Sequence, residues 1–340
     1  MSEAEGSSKS ATNDVGGAAA GPSEASRVGH IVGMVLVGVV APAVVVGALV
    51  GALGVSALFT GVLWGALGAK LGGTRRMAYV APAVGVVAGL GAYTAYDWWW
   101  AGLLAVTGIV SGVGFRFGWF PVLLVVPFAA TFVTPTSAGT DAVIFGTIVA
   151  VGIGYGMVIV RRFGVPPVIE GDRYSWPVTA VIALAFGGVL GAAAGLGVAL
   201  SWSAPYWVPE PVLILVMYIL MGRRERIREK ALGTACGAAA AVVVAALAPP
   251  TWVLTALTLM AFLAAVMQRQ IYWRMYGLYT FSLVLYFATP GDVAFVAEQR
   301  GFQILAGIGL LVLGLLALHF VGDRLARRYP QPELAAAPPT

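Results

Sequence analysis

Long stretches without a charged residue constrain this chain more than any other feature of its sequence. Residues 28–69 and 231–268 contain no Asp, Glu, Lys or Arg. Each is long enough for two membrane-spanning helices, since a bilayer core of ~30 Å needs about 20 residues at a rise of ~1.5 Å per residue. Only 10% of the 340 residues are charged and 59% are hydrophobic. A soluble domain has roughly 25% charged residues, so the composition excludes a soluble globular protein.

Seven further stretches complete the pattern. Six of them fit one span each: residues 77–96, 98–115, 117–140, 142–160, 275–291 and 301–322. The seventh, 174–222, fits two spans with a break at Ser201–Pro205 and has a single charged residue, Glu210. The breaks in the two longest stretches are predicted near Gly51–Gly54 and at Pro249–Pro250. Because these stretches lack the alternation of barrel strands, the sequence predicts an all-α polytopic membrane protein with about twelve transmembrane helices.

The distribution of basic residues predicts the orientation, because such residues are retained on the cytoplasmic side of a membrane. With the N-terminus inside, 19 of the 20 Lys and Arg residues fall in cytoplasmic loops or tails, Lys230 among them. Only Arg300 falls outside. The external edges carry acidic residues, which are Asp97, Asp141, Glu210, Asp292 and Glu298. We therefore predict a multi-pass protein of the inner or plasma membrane with both termini in the cytoplasm.

An internal repeat occurs at an offset of 155 residues. Phe132–Pro135 matches Phe287–Pro290 at three of four positions, and Gly152–Gly154 matches Gly307–Gly309 at all three. Six spans in each half place both halves in the membrane the same way round, with a ligand expected between them. The predicted organisation is a disordered cytoplasmic tail at 1–27, a six-helix repeat at 28–162, a linker at 163–176, a parallel repeat at 177–322 and a cytoplasmic tail at 323–340.

Three short motifs in the second half resemble those of the fusaric acid resistance protein-like family, part of the aromatic acid exporter group. They are Tyr206-Trp207 before Pro209, Lys230 three residues before Gly233-Thr234, and Arg300 three residues before Gln303 and seven before Gly307. The family usually has Arg at the position of Lys230 and Asp at that of Gln303. The resemblance is best over roughly residues 177–320 and weaker, through the repeat, over residues 28–160. It implies export of aromatic carboxylates or similar small organic molecules, driven by the proton gradient.

Glu210 and Arg300 are the foremost candidates for substrate or ion binding. A carboxylate at membrane depth marks a functional candidate, for a proton or a cationic group. The alternative is that Glu210 lies near its helix end, within the headgroups. Arg300 could bind a substrate carboxylate through two parallel hydrogen bonds. Its alternative is an interfacial position beside Asp292 and Glu298.

Five further residues are candidates for the transport path. Gln303 follows Arg300 by three residues. Tyr206 and Trp207, like Trp98–Trp100, could stack on an aromatic substrate or belong to an interfacial aromatic belt. The other two are Thr134 and Thr289, at equivalent positions of the repeat, which could line the path or simply follow helix ends.

Several glycine patterns are interpreted as packing devices. Pairs such as Gly61/Gly65, Gly191/Gly195 and Gly233/Gly237 let helices approach closely. Gly152–Gly156 resembles a potassium filter, but it continues into an apolar run without a turn and is predicted to be helical.

The sequence contains no reactive cluster for a membrane enzyme and predicts no cofactor. It has one cysteine and two histidines far apart, without a nucleophile constellation or a phosphate loop. We expect an exporter of small aromatic or amphipathic organic acids, with proton coupling as part of that hypothesis. The alternative is a non-transporting membrane scaffold, which could pack without a cavity. The predicted partners are the lipid bilayer and a small organic anion; nucleic acid is not needed to explain the basic excess, and the oligomeric state stays open.

Overall fold

The computed structural model describes residues 41–162, 173–202, 204–220, 222–223, 225–247, 250–268, 271–287 and 292–328. All regular structure in these ranges is helical, which confirms the all-α prediction. The predicted N-terminal tail and most of the predicted linker lie outside the described residues. At the other end, helix continues through Arg328, so residues 323–328 of the predicted tail are helical.

The helices of the first half are α1 Ala41–Val50, α2 Ala52–Gly72, α3 Thr74–Tyr93, α4 Trp98–Val113, α5 Phe120–Leu123, α6 Val125–Thr131 and α7 Gly139–Arg162. Those of the second half are α8 Trp176–Ala199, α9 Pro209–Leu220, α10 Arg226–Ala246, α11 Thr251–Met267, α12 Tyr272–Phe287 and α13 Val293–Arg328. Short 3₁₀ turns occupy Gly114–Arg116 and Pro205–Trp207. Since only Leu124 separates α5 from α6, they form one interrupted helix, and each of the twelve predicted spans contains one helix.

The predicted helix breaks coincide with backbone that a regular helix does not contain. Gly51, between α1 and α2, has φ +74°, a left-handed conformation that glycine adopts without steric penalty. Ser201, after α8, has φ +50°. Helix α10 ends at Ala246 and α11 begins at Thr251, on either side of the break that the sequence predicts at Pro249–Pro250.

The expectation that all twelve helices span the bilayer is only partly met. Seven helices in the described ranges are long and apolar enough to cross a membrane by length and composition. The shorter ones include α9, which has 12 residues. From Glu210 to its end at Leu220, α9 rises ~15 Å, about half of the bilayer core. Arg223 lies three residues beyond that end, and the depth of Glu210 in the bilayer stays a prediction.

Close helix contacts form where glycines were predicted to allow them. A Cβ at Gly65 of α2 would lie 2.6 Å from the Cα of Ile153 in α7, and one at Gly61 would lie 2.9 Å from the Cα of Gly152. Gly233 and Gly237 of α10 approach the backbone of α12 in the same way. The segment Gly152–Gly156 lies within α7, as predicted, and is not a filter loop.

The helix boundaries follow the repeat offset. Helices α10, α11, α12 and α13 begin at 226, 251, 272 and 293, and subtracting 155 gives 71, 96, 117 and 138. Helices α3, α4, α5 and α7 begin at 74, 98, 120 and 139, within three residues of those positions. Agreement of boundaries along the chain does not fix how the two halves are related in space, so the parallel two-repeat layout stays a prediction.

Candidate substrate and ion site

A cavity of about 890 Å³ lies between the two halves of the chain. Its wall combines α2, α6 and residues 132–135 of the first half with the Pro205–Trp207 turn, α9 and α12 of the second. Twelve of its 25 lining residues are aromatic: Phe59, Trp64, Tyr96, Phe128, Phe132, Tyr206, Trp207, Tyr218, Tyr272, Tyr276, Tyr279 and Tyr286. Glu210 is the one charged residue among them. The cavity therefore suits a flat apolar molecule with one polar group.

Glu210 is the centre of a buried ionic cluster. Its Oε1 accepts a hydrogen bond from Lys230 Nζ at 3.0 Å and another from the Tyr276 hydroxyl, and its Oε2 accepts one from Arg300 Nη1 at 2.9 Å. The four side chains come from α9, α10, α12 and α13. Glu210 is 2% exposed, and Lys230 and Arg300 are 0% exposed. The cluster thus joins two cations to a single carboxylate away from water.

Lys230 is buried on a helix, although the sequence predicts that it lies in a cytoplasmic loop. It lies on the second turn of α10, with its Nζ 3.9 Å from the centre of the Tyr276 ring. A buried ammonium is tolerated where a carboxylate and further hydrogen-bond partners replace water. Glu210 and the Tyr276 hydroxyl provide these partners.

Arg300 is 0% exposed and pairs with Glu210, whereas the alternative placed it beside Asp292 and Glu298 with its charge in water. Its guanidinium stacks on the ring of Trp207, with Cζ 4.6 Å from the centroid. Nη1 binds Glu210, whereas Nε and Nη2 have no hydrogen-bond partner in the described part of the chain. Those two nitrogens present the parallel donors that bind a carboxylate in two places. Arg300 therefore retains one unoccupied binding edge.

Gln303 lies one turn beyond Arg300 on α13 and is 0% exposed. Neither its amide nitrogen nor its amide oxygen has a partner among the described residues. Buried polar atoms are rarely left unpaired, so the Gln303 amide is a candidate for binding a polar group of a ligand. Neither Gln303 nor Arg300 contributes to the cavity wall, and Arg300 lies behind it in contact with Glu210 and Trp207.

The aromatic candidates differ in location: some line the cavity and others are exposed on the protein surface. Tyr206 lines the cavity and stacks on Tyr96, with ring centroids 5.9 Å apart. Trp207 lines it too and is 1% exposed, so the interfacial-belt interpretation is wrong for this residue. Trp98 and Trp99 are exposed, as a belt requires. Trp100 is buried and donates its indole hydrogen bond to the Ala130 carbonyl at 2.8 Å.

The two threonine candidates have different outcomes. Helix α6 ends at Thr131, and Thr134 lies in the irregular segment that follows, where it lines the cavity. Its hydroxyl shares a hydrogen bond with that of Ser56 at 2.6 Å, which connects this segment to α2. Thr289 lies outside the described residues.

Sequence reasoning missed Tyr276 and the other tyrosines of the cavity wall. Tyr272, Tyr276 and Tyr279 follow the spacing i, i+4, i+7, which places them on one face of α12. That spacing was the available signal. The partnership of Lys230 with Glu210 had no such signal, because the two residues are on different helices and 20 positions apart.

The described ranges contain seven helices that are long and apolar enough to cross a membrane, as in a multi-pass membrane protein. Residues 190–314 match the model of the fusaric acid resistance protein-like family, which confirms the resemblance predicted from the motifs. Members of this family are membrane transporters rather than enzymes. The matched range contains Glu210, Lys230, Tyr276, Arg300 and Gln303. No curated protein and no solved structure matches the chain.

Proposed function

We propose that the protein exports small aromatic or amphipathic organic acids across the cell membrane, with the substrate carboxylate bound at Arg300. The observation that carries the proposal is an aromatic cavity whose single charged wall residue, Glu210, is bound to two buried cations. The apolar part of the substrate stacks in the cavity, and its carboxylate lies at the end where the cluster stands.

The size and chemistry of the cavity support an aromatic substrate. Binding sites for small molecules measure roughly 300–1,000 Å³ and combine an apolar wall with a few polar groups. The cavity falls within that range and includes the hydroxyls of Thr60, Thr134 and Tyr276. A membrane scaffold has no need of such a space, so the cavity favours transport over the scaffold alternative.

The unoccupied edge of Arg300 supports a carboxylate as the polar group of the substrate. Nε and Nη2 are buried without a partner, and the ring of Trp207 holds the guanidinium plane. Because Arg300 lies behind the wall, the substrate reaches it when the side chain of Trp207 or Glu210 is displaced. Transport then includes a step in which the cluster opens.

Export rather than import agrees with the charge of the substrate. A monovalent anion moves downhill out of a cell with a negative interior, by about 2.3 kcal/mol per 100 mV. Proton coupling is a further part of the proposal. The Tyr276 hydroxyl contacts both Glu210 and Lys230 and lines the cavity, so it connects two titratable groups with the substrate space.

Efflux of radiolabelled benzoate from proteoliposomes containing the full chain tests this proposal. Arg300→Ala should abolish protein-dependent efflux, and Arg300→Lys should recover part of it, since an ammonium keeps the charge but not the two-pronged geometry. Arg75→Ala removes an exposed cation and serves as the matched control. Normal efflux by Arg300→Ala, at equal protein content, would exclude Arg300 as the carboxylate site.

A further inference from the structure

The buried cluster does not balance its own charge. Glu210, Lys230 and Arg300 are the only charged residues that are buried in the described part of the chain. Their formal charges are −1, +1 and +1, so the cluster retains one positive charge. A net charge held away from water is unfavourable unless a counter-charge joins it.

We propose that this excess positive charge makes the cluster a counter-charge site for one monovalent organic anion, and that Lys230 sets the charge although it does not line the cavity. The inference rests on the proposed function and adds to it the charge class of the substrate and a residue that determines specificity. Neutral and cationic analogues of the same shape are discriminated against, because they leave the excess charge uncompensated.

The hydrogen bonds of Arg300 and Lys230 indicate that the two cations have different roles. Arg300 has an unoccupied pair of donors and can contact the anion directly. The ammonium of Lys230 is already occupied by Glu210 Oε1 and the Tyr276 hydroxyl. Lys230 therefore acts through Glu210: it neutralises that carboxylate and so leaves the charge of Arg300 for the substrate. Lys230 is a positioning residue and not a ligand.

This charge count makes an unusual prediction for Glu210. If the carboxylate were itself the substrate site, its removal would weaken binding. If the net charge governs binding, Glu210→Gln leaves two cations and strengthens it. Lys230→Met leaves a neutral Glu210–Arg300 pair and weakens it, and the double variant returns the cluster to one positive charge.

Equilibrium dialysis of labelled benzoate against the full chain in nanodiscs of zwitterionic lipid measures these affinities, with benzamide as the neutral probe of the same shape. We expect Glu210→Gln to bind benzoate more tightly than wild type and Lys230→Met to bind it more weakly. Each change should be on the order of tenfold or more, given the strength of a unit charge several ångströms away at an effective dielectric near 20. The benzoate affinity of the double variant should be close to that of wild type. The affinity for benzamide should not change in this way among the variants.

The matched control is Lys70→Met, the same substitution at an exposed lysine, which should leave the benzoate affinity unchanged. Thermal unfolding and size-exclusion chromatography check that each variant is folded. If Lys230→Met does not fold, comparison of Glu210→Gln with the double variant still measures the loss of the lysine charge.

Two results would overturn the charge count: weaker benzoate binding by folded Glu210→Gln, or equal binding by Glu210→Gln and the double variant. A wild-type chain that binds no benzoate at all would be a different failure, because it contradicts the proposed function itself.

Discussion

At the scale of single residues, the two buried aromatic anchors differ from the interfacial role that their positions first suggest. Trp100 follows two exposed tryptophans in the sequence, yet its indole donates to the carbonyl of Ala130. Trp207 carries the guanidinium of Arg300 on its ring. Adjacent residues of the same type can therefore differ in burial, because they lie on different faces of the backbone.

Trp100→Phe should lower the thermal unfolding midpoint of the purified protein. It leaves a buried carbonyl without its donor, a loss of about 1–3 kcal/mol. Trp99→Phe, at a residue that is 75% exposed, is the matched control and should leave the midpoint unchanged. Equal midpoints for the two variants would show that the Trp100 hydrogen bond does not stabilise the fold.

Glu210→Gln should remove the pH dependence of benzoate efflux from proteoliposomes. The amide keeps the shape of the side chain but does not titrate in the working range. The control Asp141→Asn changes a carboxylate in the first turn of α7, outside the cluster, and should retain the wild-type pH profile. A Glu210→Gln variant with an unaltered profile would remove Glu210 from proton coupling.

Some residues of the candidate site were predictable from the sequence and others were not. Glu210 was identified because it is the single charge in an apolar stretch, and Arg300 because it is the only basic residue predicted to lie outside. Lys230 was predicted to lie in a cytoplasmic loop, because it directly follows a run of basic residues, whereas it is buried on α10. Its ion pair with Glu210 depends on the packing of two helices, which the local sequence does not contain.

At the scale of helices, most boundaries could be predicted because charges and helix breakers mark them. The breaks at Gly51 and near Pro250 were predicted at the observed positions. The shortness of α9 was not predicted. The apolar sequence extends from Leu220 back to Tyr206, whereas the backbone at Pro205–Trp207 is a 3₁₀ turn and α9 begins only after it. Helix α13 approaches the start of α9 closely at Gly307.

Gly307→Ala should destabilise the contact between α13 and the start of α9. A Cβ at Gly307 would meet the backbone carbonyl of Val208, which cannot move aside as a flexible side chain can, and overpacking costs about 1–3 kcal/mol. Gly309→Ala, two residues further along the same helix, meets nothing within 4 Å and is the control. Thermal unfolding should show a lower midpoint for Gly307→Ala only; a similar midpoint for both would contradict the close approach.

At the scale of the whole molecule, the predicted topology follows from the segregation of basic and acidic residues. A reporter fused after Thr340 should be cytoplasmic, and one inserted at the exposed Gly139 should be external. An alkaline phosphatase reporter, active only outside the cytoplasm, distinguishes the two sites. Both reporters on the same side would contradict a twelve-span topology.

The repeat predicts where helices begin along the chain, but it does not predict how the two halves are arranged in space. The offset of 155 residues reproduces the starts of four helices to within three residues. A parallel arrangement further requires the two halves to superpose with their six spans in order. It depends on contacts between halves, such as those around the cavity, which sequence identity at a few positions does not specify.

The central claim is that an aqueous cavity between the two halves holds an aromatic anion, and cysteine accessibility tests it most directly. Cys236 is the single native cysteine, so Cys236→Ala provides a background for Ser56→Cys in the cavity wall and for Val106→Cys on the exposed face of α4. In nanodiscs, a charged methanethiosulfonate should modify residue 56 rapidly and residue 106 slowly. Benzoate should protect residue 56, and benzamide should protect it less. An unreactive cysteine at 56, or equal protection by the two compounds, would contradict the account.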